Sequence, residues 1–153
     1  MKHRLVGWFF LFSLCLSAPS QAIGGALPQD EMSISGIVIG DSPAQVRKKM
    51  GEPLRESKGA GFLDLHYEYA SVRVSFSEGV AVGLQSRNRR GCTPMRLCPG
   101  DGLKRMRVLY GSPIVADREI GRRYEYYVEG GDCWLQIGGN ANEVESISVA
   151  CQP

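Results

Sequence analysis

Histidine is nearly absent from this 153-residue chain, which carries only His3 and His66. No helical histidine pair for zinc can be written from so little imidazole, and no Ser/His/Asp triad can be argued. A surplus of one charge is also missing, with 18 Lys+Arg against 16 Asp+Glu. Nucleic acid and anionic membrane surfaces therefore drop out as default partners. Beyond Leu5–Leu16, no apolar run approaches the roughly 20 residues that span a bilayer, so no transmembrane segment is expected. Gly59-Ala60-Gly61 lacks the third glycine and the strand-loop-helix setting of a dinucleotide fingerprint, and it reads as a hairpin loop. Neither a cofactor nor a metal is expected.

What is present begins with a leader. A basic start (Met1-Lys2-His3-Arg4), the apolar run and a small-residue exit at Ser20-Gln21-Ala22 predict a secretory signal peptide over 1–22. Cleavage after Ala22 would remove Lys2 and Arg4 and leave 16 basic residues against 16 acidic ones, an electroneutral product with His66 as its one histidine. Cys15 would leave with the leader, and the four remaining cysteines, Cys92, Cys98, Cys133 and Cys151, imply two disulfides in an exported, periplasmic protein. Of the three possible pairings, geometry favours one. Cys133 and Cys151 are equidistant from position 142 in the turn-like Gly138-Gly139-Asn140-Ala141-Asn142, so a hairpin there sets them opposite each other, and Cys92 and Cys98 close a local loop.

A fifteen-residue pattern occurs twice. Ile39-Gly40-Asp41-Ser42-Pro43 to Met50-Gly51-Glu52-Pro53 shares its Gly-Asp start and Gly-x-Pro end with Pro99-Gly100-Asp101-Gly102-Leu103 to Tyr110-Gly111-Ser112-Pro113. Each copy predicts a helix of about two turns. Ser42, Pro43 and Gln45 form a capping box with proline at the first helical position, Val46 and Met50 share the apolar face, and Gly51 and Pro53 end the helix. In the second copy Asp101 is the expected cap. Helices this short need a surface to dock on. Alternation predicts strands at Phe62–Tyr69, Val72–Phe76, Val80–Leu84, Arg123–Val128, Cys133–Ile137 and Glu143–Cys151, with a lead-in strand at Ile34–Ile39.

The expected fold is α+β, as two tandem repeats, each a short helix packed on a three- to four-stranded antiparallel sheet. The chain then divides into the signal peptide 1–22, a linker 23–33, a first repeat 34–86, a basic disulfide-closed join 87–98 and a second repeat 99–153. The Gly-Asp-Ser-Pro-Ala-Gln-Val helix ending in Met-Gly-Glu-Pro, followed by Tyr-x-Tyr strands, resembles the SmpA/OmlA (BamE-like) superfamily. The tandem arrangement is similar to that of the beta-lactamase inhibitory proteins. The resemblance implies a scaffold that offers a sheet surface to a protein partner.

Two groups of side chains are candidates for that contact. Tyr67 and Tyr69 share one strand face, Tyr124 and Tyr126 the equivalent one, and Phe62, Tyr110, Tyr127 and Trp134 lie nearby in sequence, with Trp134 joining the four tyrosines as a contact candidate; aromatics of this kind are enriched at binding hot spots. The alternative is that they form the core beneath the helices. The second group is the densest charge in the chain, Arg87, Arg89 and Arg90. Glu68 and Glu125 occupy matching positions and would need to meet for glycoside chemistry; solvated strand faces account for them more simply, as a strand surface does for His66. No enzyme is expected. The reading is a periplasmic protein-binding module, an inhibitor or immunity-type protein that occludes a secreted or envelope-acting enzyme. The alternative is an accessory of outer-membrane assembly or maintenance.

Overall fold

Ser42 caps the first helix as its sequence requires: its hydroxyl accepts the Gln45 amide proton at 3.3 Å, and the Gln45 side chain accepts the Ser42 amide proton at 2.7 Å. The computed structural model in which this is seen describes residues 26–119, 121–140 and 142–152, and the leader expected over 1–22 lies outside them. Helix α1 is Pro43–Met50 and helix α2 is Leu103–Tyr110. The strands are β1 (Ala26–Leu27), β2 (Ser33–Ile34), β3 (Ile37–Val38), β4 (Arg55–Lys58), β5 (Leu65–Glu68), β6 (Arg73–Ser77), β7 (Val80–Ser86), β8 (Ile114–Arg118), β9 (Gly121–Val128), β10 (Cys133–Gly139) and β11 (Val144–Cys151). No helix among the described residues is long and apolar enough to cross a membrane.

The recurring Gly-Asp pair has a local physical basis. Gly40 and Gly100 have φ of 94° and 96°, a region that favours glycine. Each pair clips onto the start of a strand: the Gly40 amide donates to Ala81 and the Ala81 amide to Asp41, while the Gly100 amide donates to Val144 and the Val144 amide to Asp101. Each aspartate also accepts the amide three residues before it, Val38 or Cys98, at 2.8 Å. Asp101 is thereby used, and the residue at the N-cap of α2 is Gly102, with no side-chain cap. At the helix ends Tyr69 and Tyr126 each donate a hydroxyl to the carbonyl of Gly51 or Gly111 at 3.1 Å.

The expectation of two separate helix-on-sheet repeats is overturned by the strand pairing. One mixed sheet of nine strands runs in the order β1-β9-β10-β11-β7-β6-β5-β4, with β8 also pairing β9. Its two halves fuse where β11 pairs β7, Ile147 opposite Ser86 and Val149 opposite Leu84. Joining there removes two open edges, each of which would leave unpaired amides and carbonyls. The lead-in strand is broken as well: Ser35 and Gly36, at φ 55° and 79°, turn β2 back onto β3 as a small hairpin. Strands β4 and β8 have no clear signal in the sequence, because Arg-Glu-Ser-Lys has no apolar alternation and Ile114–Arg118 is largely exposed at an edge.

The core lies on one side of this sheet. Val46 of α1, Leu103, Met106 and Tyr110 of α2, Ile34 and Ile37 of the hairpin, and Leu97 of the Cys92–Cys98 loop pack with Tyr67, Val74, Leu84, Tyr126, Leu135, Ile147 and Val149 of the strands. Because side chains alternate across a sheet, the neighbours of these strand residues all point the other way.

Candidate functional site

That opposite face follows directly from the register. It presents Arg55 and Ser57 of β4, His66 and Glu68 of β5, Arg73 and Ser75 of β6, and Gly83 and Gln85 of β7. Ser148 and Ala150 of β11 continue it, followed by Trp134 and Gln136 of β10, and Tyr127, Glu125 and Arg123 of β9. Its centre is low and polar: Ser75, Gly83, Ser148 and Ala150 lie side by side, and a shallow depression over them is rimmed by His66 and Arg73. One end is aromatic, with the Tyr127 and Trp134 rings 6.3 Å apart.

Two carboxylates on this face are held by arginines. Glu68 accepts the Arg55 guanidinium at 2.9 and 2.8 Å, and that contact holds its carboxyl below the usual range. Glu125, only 1% exposed, accepts Nε and Nη2 of Arg118 at 3.1 and 2.9 Å, the Tyr127 hydroxyl at 3.1 Å and the Gln136 amide at 3.0 Å. A buried carboxylate needs such company, because leaving it unpaired costs several kcal/mol. Glu68 and Glu125 do not meet. Strands β6, β7, β11 and β10 separate β5 from β9, and five spacings of about 4.8 Å put them roughly 24 Å apart, too far for a glycoside pair, which needs about 5–9.5 Å.

The aromatic candidates divide between the two sides. Tyr67, Tyr124 and Tyr126 are 1%, 7% and 0% exposed and belong to the core. Arg47 lies over the Tyr67 ring at 4.6 Å and Arg107 over Tyr124 at 5.7 Å, while Tyr126 packs against Tyr110. Tyr69 is half-buried beside them, its hydroxyl on Gly51. Trp134 is the one candidate contact tyrosine or tryptophan on the open face, and it is joined there by Tyr127, a neighbouring aromatic in the sequence that is not among the expected contact residues. The available signal was the alternation of β9, which must send Tyr127 opposite to Tyr126.

The arginines of the join are also divided. Arg87 lines a depression with Arg73 and Gln85, at the end of the open face. Arg89 lies over Gly100, 4.0 Å from Glu143. Arg90 lines a separate depression with Ser33, Ser35, Cys92 and Arg96. Both disulfides are formed, Cys92–Cys98 and Cys133–Cys151, the latter across directly paired residues of β10 and β11. Among the described residues no group of three or more His, Cys, Asp or Glu is placed to hold a metal ion.

No protein-family model matches the chain, and no curated protein matches its sequence. Solved structures do share its fold. It is similar to an extracellular protein containing a SCP domain from Bacillus anthracis, at 14% identity and a TM-score of 0.55, over 74% of this chain and 44% of that one. It is also similar to a cysteine-rich secretory protein from Staphylococcus aureus, at 13% identity and a TM-score of 0.56, over 84% and 49%. A DUF4309 family protein from Bacillus subtilis aligns at 18% identity and a TM-score of 0.48, over 84% and 88%. The chain thus spans less than half the length of the first two. The first two of these structures, with the single nine-stranded sheet, correct the resemblance to the SmpA/OmlA superfamily and the beta-lactamase inhibitory proteins: the shared helix punctuation is a local solution for docking a two-turn helix, and it does not carry the family with it.

His66 is the titrating group of the open face. Its Nδ1 is 3.0 Å from the Ser75 hydroxyl, and burial, with Arg73 beside it, lowers its pKa below the ordinary value. The unfolded chain therefore takes up this proton first as the pH falls through about 6.5. The stability contributed by a neutral His66 is present above that pH and is lost as the pH falls towards the folded value. His66→Gln is expected to flatten the acid limb of a plot of Tm against pH below about 6.5; an unaltered limb would mean that His66 is not held neutral.

Proposed function

We propose that the protein is an exported, non-enzymatic binding module whose uncovered sheet face docks on a partner protein and occludes it, the partner being an enzyme that acts outside the cytoplasm. The observation that carries this reading is the face itself. Among the described residues every helix, the β2-β3 hairpin and the Cys92–Cys98 loop pack on one side of the sheet, so the other side offers a broad surface with a flat centre of Ser75, Gly83, Ser148 and Ala150. A flat centre of small residues lets a partner backbone approach closely, and the surrounding Trp134, Tyr127, Arg73 and Arg87 are of the types enriched at hot spots. Export is supported by the leader-like 1–22 and by two disulfides; two structures of similar fold are described as extracellular and secretory.

The test is a pair of matched columns carrying the oxidised chain from Ile23 onward and its Ala150→Arg variant, loaded with periplasm and culture medium. A long cation in the middle of the face blocks close approach without touching the core. The expected result is a protein retained by the first column and lost from the second, with its enzymatic activity suppressed by the soluble wild-type chain. Equal retention by both columns, at unchanged Tm, would place the contact elsewhere.

A further inference from the structure

The aromatic end of the open face is a pocket of about 310 Å³, near the lower limit for small-ligand sites. Its walls are Tyr127 and Trp134, and its remaining lining is Arg118, Gly131, Asp132, Gln136 and Gln152. We propose that this pocket binds a saccharide, with a sugar ring laid against the aromatic pair and its hydroxyls bonded to the polar rim. This does not rest on the protein-docking reading, because a sugar would bind with no partner present.

The balance of groups selects that chemistry. Glu125, on β9 behind the pocket lining, is satisfied by Arg118, Tyr127 and Gln136, so the charge pair is closed on itself. Gln136 donates its amide to Glu125, and its carbonyl remains an acceptor. Arg118 keeps donors beyond the two nitrogens that hold Glu125, and its side chain is 51% exposed. Asp132 adds a rim carboxylate and Gln152 a second amide. A small anion would meet the Asp132 carboxylate, a small cation the Arg118 guanidinium, and an apolar ligand would leave these polar groups without partners. Sugar hydroxyls each donate and accept, and the C–H face of the ring suits an aromatic wall. The site is also held in shape: the Cys133–Cys151 bridge lies between Asp132–Trp134 and Gln152, and the backbone N–H of Gln152 donates to the backbone carbonyl of Asp132 at 2.9 Å. Such preorganisation lowers the cost of binding.

The sequence provides the reporter. Once residues 1–22 are removed, Trp134 is the sole tryptophan. Chitotriose, cellotriose, maltotriose and galactobiose are titrated into the oxidised chain from Ile23 onward, with Trp134 fluorescence and ¹H–¹⁵N shifts recorded together. The expected result is a saturable response to at least one sugar, with shifts centred on Gly131–Gln136 and Gln152, weakened about tenfold by Asp132→Ala. The variant is read by the same spectra, in which unchanged peaks elsewhere show that it is folded. A panel silent in both signals would overturn the proposal. So would a response that maps away from the pocket, or one that Asp132→Ala and Gln152→Ala both leave unchanged.

Discussion

Tyr126→Ala is expected to destabilise the fold by about 3–5 kcal/mol, whereas Tyr127→Ala, one position along the same strand, changes stability by about 1 kcal/mol or less. The two rings leave β9 on opposite faces. Tyr126 is fully buried, its ring 5.4 Å from Tyr110 and its hydroxyl on the Gly111 carbonyl, and burial pushes its phenol up to about 12. Truncation leaves a cavity under α2 and strands the helix-end carbonyl. Tyr127 is 40% exposed, and its loss removes one donor from Glu125, which keeps Arg118 and Gln136. Urea denaturation of both variants checks this. If Tyr126→Ala unfolded at the wild-type midpoint, the core would have to lie on the other side of the sheet.

The second large effect is expected from Cys133→Ser/Cys151→Ser, a loss of about 3 kcal/mol by loop entropy, against about 2 kcal/mol for Cys92→Ser/Cys98→Ser. Loop length sets that contrast, and the two bridges also differ in what they hold. Cys133 and Cys151 are directly paired where β10 meets β11, beside the pocket bearing Trp134, so opening this bridge also loosens the site. The shorter bridge holds the loop that inserts Leu97, fully buried, into the core and sets Thr93 against the Tyr110 hydroxyl at 2.6 Å. The Tyr110 hydroxyl gives its one proton to Glu31 at 2.8 Å, leaving Thr93 as the donor to it, and burial raises the pKa of the Glu31 carboxyl. Calorimetry of the two double variants, with tryptophan fluorescence as a second probe, would show both Tm values lowered but the Trp134 environment altered only in the first. A reversed order of stability would mean that strand pairing holds the β10-β11 hairpin without the bridge.

The aromatic repeat shows where sequence reading stops. Tyr67-Glu68-Tyr69 and Tyr124-Glu125-Tyr126 are visibly equivalent, and their environments do match: an arginine over the first ring, an arginine on the glutamate, and the last hydroxyl on a helix-end glycine. Alternation says that such tyrosines share a face and is silent on which face that is. Docking of α1 and α2 turned theirs inward and left Trp134 and Tyr127, on the alternate positions, outside. Arg118 could not be recognised as the partner of Glu125, because β8 has no signal of its own and acquires its place only by pairing with β9.

The sequence alone sets both helices, the capping box of α1, the glycine stops at Gly51 and Gly111 and the hairpin that brings Cys133 to Cys151, since each depends on residues within a few positions or on a symmetric spacing about one turn; the start of α2, at Gly102 and not at a cap by Asp101, it does not. That the two halves share one sheet, which face is open, and that Trp134, Tyr127, Arg118 and Asp132 meet follow from long-range pairing. Those outcomes rest on pairings between residues as distant as Ser86 and Ile147, and pairing at that range is set by how the whole apolar surface is best covered.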